Sequence, residues 1–158
     1  MKTKLIAAAF LACFASLASA QVTDAQARNA LQVQSSAGNP HPFCKADFLA
    51  KQEQQLNGTL ARADFVTASA QGEIFSANVA SCGLQAGNSL PQWAGQAGRL
   101  LATAVIAATR VPGGMATPKT TSSGERAELL LAYAMQNGSP TAAEMLRMLQ
   151  QSNYKTFN

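Results

Sequence analysis

The chain has little charge, few aromatic side chains and a single histidine. Of its 158 residues, 13% are charged and 6% are aromatic, and the histidine is His41. A structural zinc site needs four ligands, which are usually Cys and His side chains. Beyond residue 20 the sequence offers only Cys44, Cys82 and His41 as thiol or imidazole ligands, so we expect no metal site and no cofactor.

The sequence also lacks the motifs of common catalytic sites. It has no Gly-x-Ser-x-Gly nucleophile elbow, and Gly113 and Gly114 are not followed by the lysine of a phosphate-binding loop. His41 lies three residues before Cys44, a pairing that can activate a thiol nucleophile only while Cys44 is not oxidised. Hydrolases such as glycosidases use a pair of carboxylates. Helical spacing predicts that the candidate acids for such a pair face solvent: Asp47, Glu53, Asp64 and Glu73. We therefore expect no catalytic residues and a protein that is not an enzyme.

The first 20 residues have the three parts of a secretory signal peptide. Lys2 and Lys4 are followed by an apolar run at residues 5–17 and by the small-x-small site Ala18-Ser19-Ala20. The run is too short for a transmembrane anchor, which needs about 20 apolar residues. Lipidation at Cys13 is the alternative, but the residues before it fit a lipidation site poorly. We expect a signal peptide at 1–20 and a single helical domain at 21–158, exported to a bacterial periplasm or secreted.

Export changes the charge of the working protein. The full chain has 12 basic and 8 acidic residues, and removal of Lys2 and Lys4 lowers the net charge from +4 to +2. The remaining basic residues are scattered singly between Arg28 and Lys155. Nucleic-acid surfaces need clustered Lys and Arg, and anionic membranes attract helices that have a Lys/Arg-rich face. We therefore expect no nucleic-acid partner and no stable membrane anchor.

Composition and spacing predict an all-α, compact single-domain bundle of about five to seven helices. Ala, Gln, Ser and Leu dominate the sequence, which favours helices that approach one another closely. A capping box at Thr23 predicts a first helix that ends by Ser36. Ser89, followed closely by a proline, predicts the start of a helix that runs to Arg110. Residues 100–109 of that helix are uncharged on all sides, so it is expected at the centre of the bundle.

The C-terminal part of the chain predicts a helical hairpin. A capping box at Ser122 starts a helix to Gln136, and Pro140 starts a last helix to about Gln151, followed by a short polar tail. The segment Val111–Gly124 before the hairpin is rich in Pro, Gly, Thr and Ser. Irregular segments of this length are either functional or disordered.

The middle of the chain predicts two helices joined by a tight turn. The second helix is expected at residues 43–57, with Lys51, Gln52 and Glu53 facing solvent, and Asn57-Gly58 is a typical helix stop. A third helix is expected from Thr59 to about Gly83, because its apolar residues follow a 3-4 spacing.

Cys44 and Cys82 are expected to form a disulfide, because they are an even pair in an exported chain. If the turn lies at Gly58, Cys44 is about 20 Å from it along one helix and Cys82 about 33 Å along the other. A disulfide needs the two α-carbons within about 7 Å. The disulfide therefore predicts a bend or break in the third helix near Gly72. The alternative is that both cysteines are free and buried.

The remaining candidate residues are apolar ones that lie beside the predicted core faces, and they suggest a partner surface or a wide core face: Trp93, Leu131, Met135 and Met148. The leading hypothesis is a non-enzymatic protein that binds another envelope or secreted protein, as an immunity or inhibitor protein or as an accessory of a secretion or conjugation system. A small-molecule or lipid carrier, with an apolar cavity between the central helix and the last hairpin, is the second hypothesis. An enzyme with a dispersed active site is the third.

Overall fold

The computed structural model describes residues 20–37, 44–86, 89–113 and 117–155. His41 and the predicted signal peptide, apart from Ala20, lie outside the described residues. The described part of the chain forms no strand and six α-helices, which are α1 (Asp24–Ser35), α2 (Ala46–Ala61), α3 (Phe65–Gln85), α4 (Leu90–Arg110), α5 (Pro118–Gln136) and α6 (Pro140–Gln151). The predicted all-α bundle and its C-terminal hairpin are confirmed.

Helix α4 is at the centre of the bundle, as predicted. It packs against α1, α3, α5 and α6, and its buried residues include Leu100, Leu101 and Val105. Because neighbours surround the helix, the uncharged segment 100–109 lies in the core. None of the helices formed by the described residues combines the length and the hydropathy that a membrane span requires.

The predicted disulfide between Cys44 and Cys82 is confirmed, but the predicted turn at Gly58 is wrong. The α-carbons of the two cysteines are 5.4 Å apart, and α2 continues through Gly58 to Ala61. The turn lies at Ala63, which has a left-handed φ of 56°. Ala63 is midway in sequence between the cysteines, whose separation is 38 residues. Because the antiparallel segments on the two sides of the turn have the same number of residues, both cysteines reach the same level.

The predicted break near Gly72 is also wrong, because α3 is one continuous helix. Gly72 instead lies at a close contact between α3 and α4. A Cβ atom on Gly72 would lie 2.8 Å from the Cβ of Ala104 and 3.0 Å from the carbonyl oxygen of Leu100. One turn later, the buried Ser76 hydroxyl donates a 2.7 Å hydrogen bond to the Ala97 carbonyl of α4. Small residues at this crossing hold the two longest helices together.

Helix α5 begins one turn earlier than predicted. Its N-cap is Thr117, whose hydroxyl accepts a hydrogen bond from the backbone N–H of Thr120, and Pro118 occupies the first turn. Ser122 bonds the Lys119 carbonyl instead of capping a helix. The predicted loop at Val111–Gly124 is therefore helical from Pro118 onward. Thr117-Pro118 has the same cap-and-proline pattern that correctly identified the start of α6 at Ser139-Pro140.

The segment after α6 is not merely a polar tail, because Tyr154 is 1% exposed and returns to pack on α5. Its ring lies directly against Gly124, where a Cβ atom would clash with the ring carbons. The other tyrosine, Tyr133 of α5, donates a 2.7 Å hydrogen bond to the Asp24 carboxylate at the start of α1. The two tyrosines therefore attach both ends of the described chain to α5.

Replacement of Gly72 by alanine should destabilise the protein. Because the added methyl group meets the backbone of α4, the helices must separate, and we expect the free energy of unfolding to fall by about 1–3 kcal/mol. Gly58→Ala is the matched control. Gly58 lies inside α2 with only the Arg62 guanidinium 3.7 Å from an added Cβ, so this change should stabilise the protein by up to about 1 kcal/mol. Chemical denaturation of the oxidised variants measures both changes, and stabilisation by Gly72→Ala would contradict the close approach.

Both tyrosines should resist ionisation in the folded protein. Burial, followed by the hydrogen bond to Asp24, raises the pKa of Tyr133 from 10.0 to about 12. Burial and the neighbouring Glu128 carboxylate raise the pKa of Tyr154 further above its usual value. Since the neutral forms are favoured on folding, this stabilisation is complete below pH 10 and is lost as the pH rises from about 10 to 12.

An ultraviolet titration measures this directly, because the chain has 2 tyrosines. We expect the urea-unfolded protein to form both tyrosinates near pH 10 and the folded protein to form neither there. Tyr133→Phe removes one of the two groups and assigns the lower transition. A native tyrosine that ionises near pH 10 would contradict the burial described above.

Candidate functional site

The four residues predicted as a partner surface do not lie together on the surface. Leu131 is 0% exposed, so its assignment to an accessible surface is wrong. Helix α5 packs against α1, α4 and α6, and a residue beside its main apolar stripe is therefore still in the core. Trp93 is half-buried and packs beside Gly83 of α3. Met135 and Met148 are exposed, at 38% and 39%.

The most exposed large apolar side chains lie on α3 instead. Val66 is 65% exposed and Ile74 is 49% exposed. With Ala70 between them, they are spaced four residues apart and share one face of the helix, which we call the α3 stripe. From Val66 to Ile74, eight helical steps apart, the α3 stripe is about 12 Å long. The stripe could have been found in the sequence, since these residues are apolar and fall outside the inward 3-4 line of α3.

The α3 stripe forms one wall of a groove with a volume of about 350 Å³. Small residues of α4 form the floor of this groove: Ala104, Val105 and Ala108. Polar residues of α3, a residue just after α1 and the start of α5 complete the lining: Ser69, Glu73, Ala37, Lys119 and Thr120. We call this feature the α3–α4 groove. An apolar wall over a floor of small side chains can accept protruding apolar side chains or an aliphatic chain.

A polar network holds the groove wall in place, and it includes an acid predicted to face solvent. The side chain of Glu73 is 17% exposed, so that prediction is wrong. The buried Ser123 hydroxyl donates a 2.8 Å hydrogen bond to its Oε1, and Lys119 Nζ lies 3.6 Å from its Oε2. Ser123 is 2% exposed, which favours a structural role for this serine–carboxylate pair over a nucleophilic one.

The network continues from α3 to α1 and back to α5. The fully buried Gln34 donates from Nε2 to the Glu73 carbonyl at 3.3 Å, and its Oε1 accepts a 2.6 Å hydrogen bond from Arg126. Burial lowers the pKa of Arg126 while the charge of Glu73 opposes that change. An arginine nevertheless remains charged. The Glu73 side of the groove therefore contains one acid and two cations.

Two cations border the groove at different positions. The side chain of Lys119 is 77% exposed. Arg110 is exposed, and its guanidinium carbon lies 5.9 Å from the ring centroid of Phe65, the residue before Val66. Arg110 forms no ion pair with an acid of the described ranges. The nearby Asp64 carboxylate is occupied as the N-cap of α3, accepting a 3.1 Å hydrogen bond from the Thr67 N–H. The lining of the groove therefore holds a paired acid and cation, Glu73 and Lys119, and Arg110 adds a positive charge near the Val66 end of the α3 stripe.

A second concave feature lies between the first half of α4 and the turn of the α5–α6 hairpin, where the carrier hypothesis expects an apolar cavity. This cleft has a volume of about 700 Å³, but amide, hydroxyl and guanidinium groups dominate its lining, including Gln92, Gln96, Arg99, Asn137 and Thr141. Arg99 forms a 2.7 Å ion pair with Glu53 of α2. The cleft is open and polar, unlike a site for a lipid.

The described ranges contain no cluster of three or more His, Cys, Asp or Glu side chains that could hold a metal ion. The α3–α4 groove combines the most exposed large apolar side chains of the described residues with a basic residue, Lys119. Comparison with known proteins adds no functional assignment to this geometry. No family model, curated protein or solved structure matches the chain.

Proposed function

We propose that this chain is an exported, non-enzymatic protein that binds another envelope or secreted protein through the α3–α4 groove. Its role is that of an immunity or inhibitor protein or of an accessory to a secretion or conjugation system. The proposed site of action is the bacterial periplasm or the exterior, reached through the signal peptide at 1–20. The proposal combines the export pattern in the sequence with the groove on the surface.

The observation that carries the proposal is the exposed α3 stripe above a floor of small residues. Val66 and Ile74 leave about half or more of their surface in water. Burial of the exposed part by a partner contributes about 1 kcal/mol for each side chain. Exposed apolar patches bordered by charged residues are typical of interaction sites.

The shape and charge of the groove favour an amphipathic helix as the bound element of the partner. A groove about 12 Å long matches two turns of helix, so apolar side chains at positions i, i+4 and i+7 can enter it. Acidic residues on the flanks of that helix would face Arg110 and Lys119. Charge of opposite sign at the border increases the rate of association and excludes basic partners.

The polar cleft supports a second candidate function as a small-molecule carrier. Its volume of about 700 Å³ lies within the range of ligand sites. The amide and hydroxyl groups of the lining favour a polar solute over a lipid as the ligand. A carrier of this kind would bind its ligand without using the α3 stripe.

Photocrosslinking in the native envelope tests the protein-binding function. A photoreactive residue at position 66 or 74 should form an adduct with one discrete protein. The same residue at Val33, which is 45% exposed on α1 and does not line the groove, is the matched control and should form none. The double variant Val66→Gln and Ile74→Gln should reduce recovery of that partner at least about tenfold, which corresponds to about 1.4 kcal/mol.

The variants must also remain folded for this result to have meaning. Because both side chains are exposed, the free energy of unfolding should change by less than about 0.5 kcal/mol for each substitution. If the partner is lost only in a Met135→Gln and Met148→Gln double variant, and not in the α3 stripe variant, the interface lies on the α5–α6 hairpin and not in the groove. A co-purifying metabolite without any crosslinked protein would support the carrier function and overturn the proposal.

A further inference from the structure

The disulfide joins the N-terminal end of α2 to α3. Cys44 is exposed and lies two residues before α2, whereas Cys82 is 2% exposed near the end of α3. At the opposite end, the turn at Ala63 joins α2 to α3. We propose that this disulfide is a redox latch, and that its reduction by a dithiol releases α2 from α3 so that the helix opens about the turn at Ala63.

Helix α2 packs against fewer helices than α3 or α4 does. In the described part of the chain, its main helical partner is α3. Its polar contact with α4 is the ion pair between Glu53 and Arg99, whose side chains are each about a third exposed. Exposed ion pairs of this type contribute little to stability. Without the disulfide, α2 therefore depends on apolar packing, mainly against α3, in which Leu49 and Leu56 join the core cluster.

That packing buries polar atoms without hydrogen bonds. Gln52, predicted to face solvent, is 8% exposed because it lies on the same inward stripe as Leu49 and Leu56. Its Oε1 has no hydrogen-bond partner in the described structure, and neither has the buried Oε1 of Gln71. Gln71 lies three turns before Cys82 and so on the same face of α3. Opening of α2 hydrates these amides. The free energy gained by that hydration offsets part of the cost of exposing apolar surface.

The local sequence of α2 also favours opening. Its N-cap position is Lys45, which makes no side-chain cap hydrogen bond, so the first turn lacks the stabilisation that α1 obtains from Thr23. Gly58 lies in the interior of α2, where glycine is a poor helix former. A helix with one main helical partner and an uncapped first turn is typical of a segment that unfolds locally.

The chemistry of release is thiol–disulfide exchange. A thiolate of the dithiol attacks Sγ of the exposed Cys44, and the Cys82 sulfur leaves as a thiolate. The second thiol of the dithiol then attacks the mixed disulfide. Two electrons and two protons pass to the protein, which gains two thiols, and the dithiol becomes a disulfide. The α3–α4 groove lies on a different face of α3 from the one that α2 covers. Opening of α2 therefore leaves the groove in place.

Hydrogen–deuterium exchange of the full oxidised protein, measured by mass spectrometry with and without dithiothreitol, tests the latch. We expect exchange at residues 46–61 to accelerate at least about tenfold on reduction, while α4 and α5 keep their protection. A Cys44→Ala variant should show the fast exchange without reductant and no further response to it. Unchanged protection of α2 in the reduced protein, or equal loss of protection in all helices, would overturn the proposal.

A second pair of variants tests the role of the buried amides. Gln52→Leu replaces an unpartnered buried oxygen by apolar atoms, and should slow the exchange of α2 in the reduced protein by several-fold. Gln54→Leu, at an exposed position of the same helix, is the matched control and should leave it unchanged. If Gln54→Leu slows exchange as much as Gln52→Leu, helix propensity alone explains the effect and the interface argument fails.

Discussion

The close contact between α3 and α4 is the interaction on which the rest of the bundle depends. Gly72 lies against Ala104, and the Ser76 hydroxyl bonds a carbonyl of the facing helix. Both helices have 21 residues, and every other helix packs against at least one of them. The contact between α3 and α4 therefore sets the positions of the other helices. Close packing of this kind requires that no Cβ intervene, which makes a glycine on α3 a structural requirement of the crossing and not a point of bending.

From this crossing, different faces of α3 acquire different roles. One face is buried on α4, and a second is covered by α2 under the disulfide. A third carries the polar network in which Glu73 connects α1 and α5 to the helix. The remaining face presents the α3 stripe to solvent. The proposed groove and the proposed latch are therefore on the same helix but on separate faces, so either can act while the crossing with α4 remains intact.

Local patterns predicted much of the fold because short-range interactions specify helix ends. The capping box at Thr23, the proline in the first turn of α4 and the Ser139-Pro140 start of α6 were all confirmed. The residue types alone do not distinguish Thr117 from Ser122 as the N-cap of α5, because the choice depends on what the next turn can bury. Tyr154 gave no periodic signal. Its burial depends on the space above Gly124, which is a property of the packed helix and not of the tail.

The amino-acid sequence by itself determined that the chain is helical, that α4 is central and that Cys44 and Cys82 pair, since composition, periodicity and cysteine count suffice for these. Only the tertiary structure decided where the hairpin turns and which apolar residues remain exposed. Asn57-Gly58 is a locally good helix stop, yet continued burial of Thr59 and the symmetry of the disulfide favour a turn at Ala63. Leu131 and Val66 are both apolar residues beside a core stripe, but α5 has neighbouring helices on that side, whereas none of the six described helices covers Val66 on α3. Exposure depends on which neighbours surround a helix, and that information is not local to any segment.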